Sequence, residues 1–360
     1  MSEKFYISII IPFYNSEKHI EKCLNNLGKI KFKHSFEIIM INDGSKDNCL
    51  EIVKRSKIKN LQIFSLDENQ GPAKARNLGI KYAKGEYVLF IDVDDQIDKN
   101  ALDHLYDYAN LNSLNFVFCD TKWIEKSKNQ RQNIFSYDAD RIIDNIEILE
   151  SMKNRIFNPI YTTGVLAAKA KLVKKEILDL NKVYFEEKLR YLEDEIFIWD
   201  LIARVEKIGY IKKQYYIYNV NPNLSSGVID GLNLNFNISK FKIIKSHIEN
   251  SFRSKGLKEN EVKKFGDQAF IYFIINVLIS YSKSIEQKKV NYKEGVKGRK
   301  KIINTILNDS EVFEAINNYT VSSNENKLIP LAIRWKLSFF LEFLCTLRAR
   351  KILKIRRKNY

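Results

Sequence analysis

Short runs of apolar, often β-branched residues alternate along the first hundred positions with stretches in which apolar residues recur every three or four places. Residues 7–11 form one such run, closed by Pro12, and predict a buried parallel strand. Behind it Ile20, Cys23, Leu24 and Leu27 fall at helical spacing, with Asn15 or Ser16 placed to cap the helix. The unit then recurs. Residues 36–41 read as a strand, Asn42-Asp43-Gly44-Ser45 as a turn and 47–56 as a helix. Residues 61–66 read as a third strand, 72–83 as a helix opened by Pro72, and 87–91 as a fourth strand. Strands alternating with helices of this length imply right-handed crossovers and an α/β fold with a mostly parallel, Rossmann-like sheet covered by helices on both faces.

The fourth strand ends in three acids, Asp92, Asp94 and Asp95. Carboxylates crowded at a strand end repel one another unless a cation or a set of donors neutralises them, and hard divalent ions such as Mg2+ or Mn2+ favour oxygen ligands. A polar loop capping a helix near Asp98 accounts for the same residues, and both readings stand at this point. In open α/β sheets ligands bind beyond the carboxyl ends of the strands. Residues 12–15, Asp43 and residues 92–95 are therefore expected to converge on one crevice.

Farther along, 116–120 reads as a strand, 127–133 as a polar loop and 164–168 as an edge strand. Arg190-Tyr191-Leu192-Glu193-Asp194-Glu195 then brings three acids to a helix start, where the helix dipole alone favours them. Residues 208–218 alternate and are aromatic, the pattern of a strand, and lead into a polar stretch at 219–226. From about residue 231 helical periodicity takes over: Phe241, Ile244, Ile248 and Phe252 make one stripe, and 268–281 is apolar almost all round, the mark of a buried helix. The apolar run at 269–279 is interrupted by Asn276 and is too short to span a bilayer. Residues 328–347 carry Trp335, Phe339, Phe340, Phe343 and Leu344, and 348–358 are strongly basic. An aromatic, basic amphipathic end fits a membrane-surface anchor; an ordinary packing helix with a solvated tail is the plainer alternative.

Composition narrows the partners. The chain has 360 residues, 45% of them hydrophobic, enough for two domains, and a formal net charge of +16 that favours an anionic partner. Cys23, Cys49, Cys119 and Cys345 show no metal or redox spacing and read as free thiols in a reducing compartment; with a polar N-terminus this places the chain on the cytoplasmic side.

Four segments together, residues 8–15, 41–47, 69–79 and 90–95, resemble in order and spacing the nucleotide-sugar half of family 2 glycosyltransferases. The likeness runs through roughly the first two thirds of the chain and implies a GT-A fold at 1–230, with a donor half at 1–110 and an acceptor half at 111–230, followed by a helical module at 231–360. It implies a UDP-sugar donor held by Pro12, Tyr14, Asp43, Arg76, Asp92 and Val93. Asp43 would hold uracil, and Arg76 would meet the phosphates. The Asp92-Val93-Asp94 acids would hold Mn2+ or Mg2+, Asp94 directly, with Asp95 in support. Asp194 is the expected base of an inverting transfer to a hydroxyl of a bacterial surface glycan, a capsule or lipo-oligosaccharide, with Glu193 orienting it. Relatives often place histidine where this chain has Asn221, which leaves a third protein ligand open. His19, His34, His104 and His247 fall elsewhere. The acceptor can be lipid-linked, and membrane contact through 328–358 would hold the enzyme on the inner face of the cytoplasmic membrane. A sugar nucleotidyltransferase would carry a Gly-rich, basic loop where Pro12-Phe13-Tyr14-Asn15 stands. A noncatalytic basic module binding membrane or nucleic acid would leave Asp43, Asp92, Asp94 and Asp194 without a purpose, so no nucleic-acid partner is expected.

Overall fold

The structure, a computed structural model, describes residues 4–125, 137–157, 167–220, 236–321 and 325–358. The expected loop at 127–133, most of the expected edge strand at 164–168, and Asn221 with its neighbours lie outside the described residues. The chain divides into two compact units, one of Met1–Met152 with Ile160–Pro222 and the other of Lys153–Pro159 with Asn223–Tyr360, so the main division falls a few residues before the boundary expected at 230/231.

The first unit opens with β1 (Ile7–Phe13), α1 (Glu17–Leu27), β2 (Phe36–Asp43), α2 (Cys49–Lys54), β3 (Leu61–Leu66), α3 (Pro72–Tyr82) and β4 (Tyr87–Phe90), in the alternation that the sequence predicts. It continues through β5 (Gln96–Ile97), α4 (Ala101–Leu111), β6 (Phe116–Glu125), β7 (Arg141–Ile143), α5 (Asn145–Phe157), β8 (Lys171–Lys174), α6 (Lys175–Asn181), α7 (Glu193–Ile202) and β9 (Ile208–Val220). Among the described residues the strands form one sheet in the order β3-β2-β1-β4-β8-β6-β9-β5, with β7 on β9. The β1, β2, β3 and β4 pairings are parallel, as is β6 on β9. The sequence does not reveal that β8 runs antiparallel between β4 and β6. A strand that the sequence reading did not mark, Lys171–Lys174, follows Ala170, which turns the chain with a left-handed φ of 61°.

Burial follows the period-2 geometry of a strand. Ile7, Ile9, Ile11 and Phe13 of β1 pack with Ile20, Cys23 and Leu27 of α1 and with Leu102 and Leu105 of α4. Ile10, on the opposite face, meets α3, and there Gly79 lets helix and strand close up: a Cβ at 79 would stand 2.3 Å from Ile10 Cγ2. Local capping differs from expectation. Ser16 occupies the N-cap of α1, but its hydroxyl donates to the Tyr14 carbonyl, and the Asp47 carboxylate takes the Glu17 N–H at 2.9 Å. Asp47 thus serves α1 from outside α2, which is shorter than its pattern suggests.

The second unit is helical. Ile238–Ser254 buries Phe241, Ile244, Ile248 and Phe252. Glu259–Glu286 runs for 28 residues, far beyond the apolar run that marks it in the sequence, and is long and apolar enough to cross a membrane. In this unit it acts as a core helix: 67% of its apolar window is buried, and its Asp267, 1% exposed, pairs with Lys245 at 2.7 Å. Tyr292–Asn308, Ser310–Asn318, Leu328–Arg334 and Ser338–Lys358 complete the described helices of this unit.

Replacing Gly79 with alanine should overpack α3 against β1 and cost about 1–3 kcal/mol. A thermal melt checks this: a clear fall in Tm is expected, and an unchanged Tm would show that the contact relaxes freely.

Candidate active site

The loops that leave β1 and β2 are stitched together. Asn15, in a left-handed conformation (φ 44°), donates its N–H to Ser45 Oγ at 3.1 Å and accepts the Lys46 N–H at 2.9 Å. Gly44 is required twice over, because its φ is +67° and an added Cβ would lie 2.5 Å from the Glu68 carbonyl carbon. Beside it Asp43, 3% exposed, accepts hydrogen bonds from the Asn69 side chain at 2.9 Å, the Gln70 N–H at 2.8 Å and the Gly71 N–H at 2.9 Å. The carboxylate expected to meet a base is thus the one that organises the turn that starts α3. Pro12 is half-buried and Tyr14 exposed at this end of β1.

Arg76 lies one turn into α3. Expected to face phosphates, it is instead buried, 5% exposed, with its guanidinium between two carboxylates: Nη1 reaches Asp194 at 2.7 Å and Nη2 reaches Asp92 at 3.0 Å, with Glu193 at 3.5 Å. This fork joins the end of β4 to the start of α7, which are 102 residues apart in sequence. The α7 start is reached through Leu192 at φ 62°, a conformation that leucine rarely adopts and that a surrounding structure must hold in place. Asp194 Oδ2 lies 3.4 Å from the Ala168 N–H. Arg190 donates to the Asn69 side chain at 3.0 Å and to its carbonyl at 3.3 Å, tying the segment before α7 to the Asp43 turn.

The three acids after β4 have three different surroundings. Asp92 is engaged by Arg76 and by Lys169 at 3.4 Å. Asp95, 2% exposed, accepts the Tyr216 hydroxyl at 2.7 Å and the Asn219 N–H at 2.9 Å, with Lys169 at 3.6 Å. Burial pushes its carboxyl up to about 7 despite those donors and the Lys169 charge. Asp94 is half-buried, and among the described residues no side chain hydrogen-bonds or ion-pairs with its carboxylate, which has only its own backbone N–H. Burial and the charge of Asp92 raise its pKa. Val93 is half-buried between them. Asp92, Asp94, Asp95, Glu193 and Asp194 thus crowd around Arg76 and Lys169, and burial and mutual repulsion raise the pKa of Asp94, Asp95 and Glu193. No group of three or more His, Cys, Asp or Glu side chains with metal-site geometry occurs among the described residues. An all-oxygen donor set of this kind is chemically suited to a hard ion such as Mg2+.

Lys169, Tyr216, Tyr218 and Asn219 escape sequence reasoning. Lys169 carries no motif, and it is delivered to the site by a parallel bridge between Phe90 and Lys169 that adds the segment before β8 to β4. The β9 aromatics were legible as a strand, yet the link from Tyr216 to Asp95 spans 121 positions and leaves no local trace.

Residues 8–179 form a domain that matches the family model for glycosyl transferase family 2. The poly(ribitol-phosphate) beta-N-acetylglucosaminyltransferase TarS of Staphylococcus aureus (strain Mu50) is 32% identical over 214 residues, covering 59% of this chain. That match takes in only 35% of TarS. TarP of S. aureus (strain N315), also a poly(ribitol-phosphate) beta-N-acetylglucosaminyltransferase, is 26% identical over 341 residues, covering 92% of this chain and 99% of TarP. The crystal structure of TarS 1–349 in complex with UDP superposes with a TM-score of 0.69 over 96% of this chain and 92% of that one, at 24% identity. The fold is GT-A, a mixed α/β domain with a mostly parallel central sheet, followed by C-terminal helices.

Burial first, and then the Asp194 charge, push the Glu193 carboxyl up to about 7 against the partial relief given by Arg76. Between the ordinary glutamate value and about 7 the folded chain holds a proton that the unfolded chain has released, so stability falls as pH rises through that window. Thermal melts of ligand-free protein at pH 6 and pH 8 should show the lower Tm at pH 8, and Glu193→Gln should shrink the gap. An unchanged gap would contradict the buried, acid-crowded setting of Glu193.

Proposed function

We propose that the chain is an inverting, metal-assisted hexosyltransferase that moves a sugar from a UDP-sugar to a hydroxyl of a bacterial wall polymer. Relatives named for poly(ribitol phosphate) favour a teichoic-acid acceptor over the capsule or lipo-oligosaccharide expected from sequence. The observation that carries this reading is the Arg76 fork, which draws a strand-end acid and the Asp194 carboxylate onto one guanidinium.

On this reading Pro12, Tyr14 and Asp43 receive the nucleoside, Asp43 through the lone pairs that the Asn69–Gly71 turn leaves free. Asp94 would hold Mn2+ or Mg2+, which when bound neutralises charge on the departing diphosphate. Arg76 occupies Asp194 Oδ1, so Oδ2 is the oxygen placed to accept a proton. As the acceptor hydroxyl gives that proton to Asp194, its oxygen attacks the anomeric carbon from the side opposite the diphosphate. The bond from that carbon to the diphosphate oxygen breaks, UDP departs, and the configuration inverts. Glu193 and Asp95 support this geometry from either side.

The second unit carries the membrane part of the proposal. Along Ser338–Lys358 the exposed face runs through Phe339 (82% exposed), Phe340, Phe343 (56%) and Leu347 to Arg350, Lys351 and Lys354. Apolar residues followed by basic ones on a single solvent face complement an anionic bilayer, rings entering the acyl boundary and cations meeting the headgroups. Such contact would hold the enzyme on the inner face of the cytoplasmic membrane.

Asp94→Asn and Asp194→Asn should each cut UDP release from UDP-sugars, measured with Mn2+ over a donor panel, by at least about 100-fold. Full activity in either variant would remove that residue from its role. Phe339→Ser combined with Phe343→Ser should abolish cosedimentation with phosphatidylglycerol vesicles. Retained binding, or light scattering showing that the same face joins two copies of the chain, would reject the membrane reading.

A further inference from the structure

Among the described residues, Lys169 ion-pairs with the acid cluster and is left unused by the proposed mechanism. Its ammonium stands 3.4 Å from Asp92 and 3.6 Å from Asp95, and 3.4 Å from the centre of the Tyr218 ring. Its side chain is only 16% exposed. A long, flexible lysine chain does not ordinarily stay in one place, but this one is fixed from several directions. The Phe90 bridge anchors its backbone, the Lys171 ammonium donates to its carbonyl at 3.0 Å, and the Tyr218 face covers its tip. Burial disfavours its charge, yet Asp92 and Asp95 outweigh that cost and raise its pKa above the ordinary lysine value.

The placement divides the strand-end acids. Asp92 has one oxygen on Arg76 and the other on Lys169, which leaves it little capacity to ligate a metal. Asp95 is taken up by Tyr216 and Asn219. Among the described residues, Asp94 is the strand-end acid whose carboxylate has no side-chain partner.

We infer that Lys169 is a positioning residue of the donor site: a fixed ammonium that withholds Asp92 from the metal, so that the ion binds weakly through Asp94 until a diphosphate completes its shell. The inference rests on the metal-assisted reading above. Metal and nucleotide would then bind in an ordered, mutually dependent way, because the protein by itself presents too few ligands to keep the ion. Tight binding of a dication by a bare carboxylate pair would trap the diphosphate after transfer, and the lysine prevents that pair from forming.

The test is titration of the full-length protein with Mn2+ alone, followed by the paramagnetic signal of free Mn2+, so that no turnover is involved. Wild type should bind Mn2+ weakly, and more tightly in the presence of UDP. Lys169→Met should bind Mn2+ alone at least tenfold more tightly than wild type, Lys169→Arg should stay near wild type, and adding Asp92→Asn to Lys169→Met should bring the affinity back down. Circular dichroism and melting curves verify that each variant is folded. A folded Lys169→Met protein with unchanged or weaker Mn2+ affinity would overturn the role given to Lys169. Absence of Mn2+ binding by wild type even with UDP would overturn the metal-assisted reading itself, a separately recognisable outcome.

Discussion

The Arg76 guanidinium is the contact on which the site depends. A single planar fork buried in α3 satisfies a carboxylate at the end of β4 and another at the start of α7. Breaking a buried pair by removing one partner typically costs about 3–5 kcal/mol, because the surviving charge is left uncompensated. Arginine suits the place where lysine would not, since its fixed fork meets two acceptors in one plane while remaining charged. Phe185 lies 5.3 Å from the guanidinium carbon, so the cation also has an aromatic face against it. Structure and chemistry are joined here: the constraint that holds α7 against the sheet also takes one oxygen of Asp194 and leaves the other to the Ala168 N–H alone among the described residues.

Around that fork the acids are sorted by their partners rather than by their spacing in sequence. Asp92 and Asp95 look equivalent as letters, yet one is shared by two cations and the other is enclosed by a tyrosine hydroxyl and a backbone N–H. Asp94 differs from both in lacking such partners among the described residues. The end of strand β4 thus carries, among the described residues, one structural acid, one bridging acid and one acid without a side-chain partner.

Much of this was legible from residues close in sequence. The β-branched runs and helical spacings fixed the parallel half of the sheet, Pro72 marked the start of α3, and the motif at 90–95 fell at a strand end. The acids at 193–195 began a helix. What escaped were interactions between positions far apart. Arg76 reads as a helix-start cation suited to phosphates until Asp194, 118 positions away, claims it. Lys169 has no surrounding pattern, and β8 is brought antiparallel beside β4 by a turn at Ala170 whose left-handed backbone is not encoded by any glycine. Asp47 caps a helix that precedes it by thirty residues, displacing the obvious local candidates.

The central claim is that one crevice at the carboxyl ends of β1, β2 and β4 binds a UDP-sugar through a metal on Asp94 and faces it with Asp194. Anomalous diffraction from crystals grown with UDP and Mn2+ tests it most directly. The account predicts a manganese peak in direct contact with the Asp94 carboxylate and with the diphosphate, with uracil beside Asp43. A peak held by Asp92 and Asp95 with Lys169 displaced, or UDP bound away from these strand ends, would contradict it.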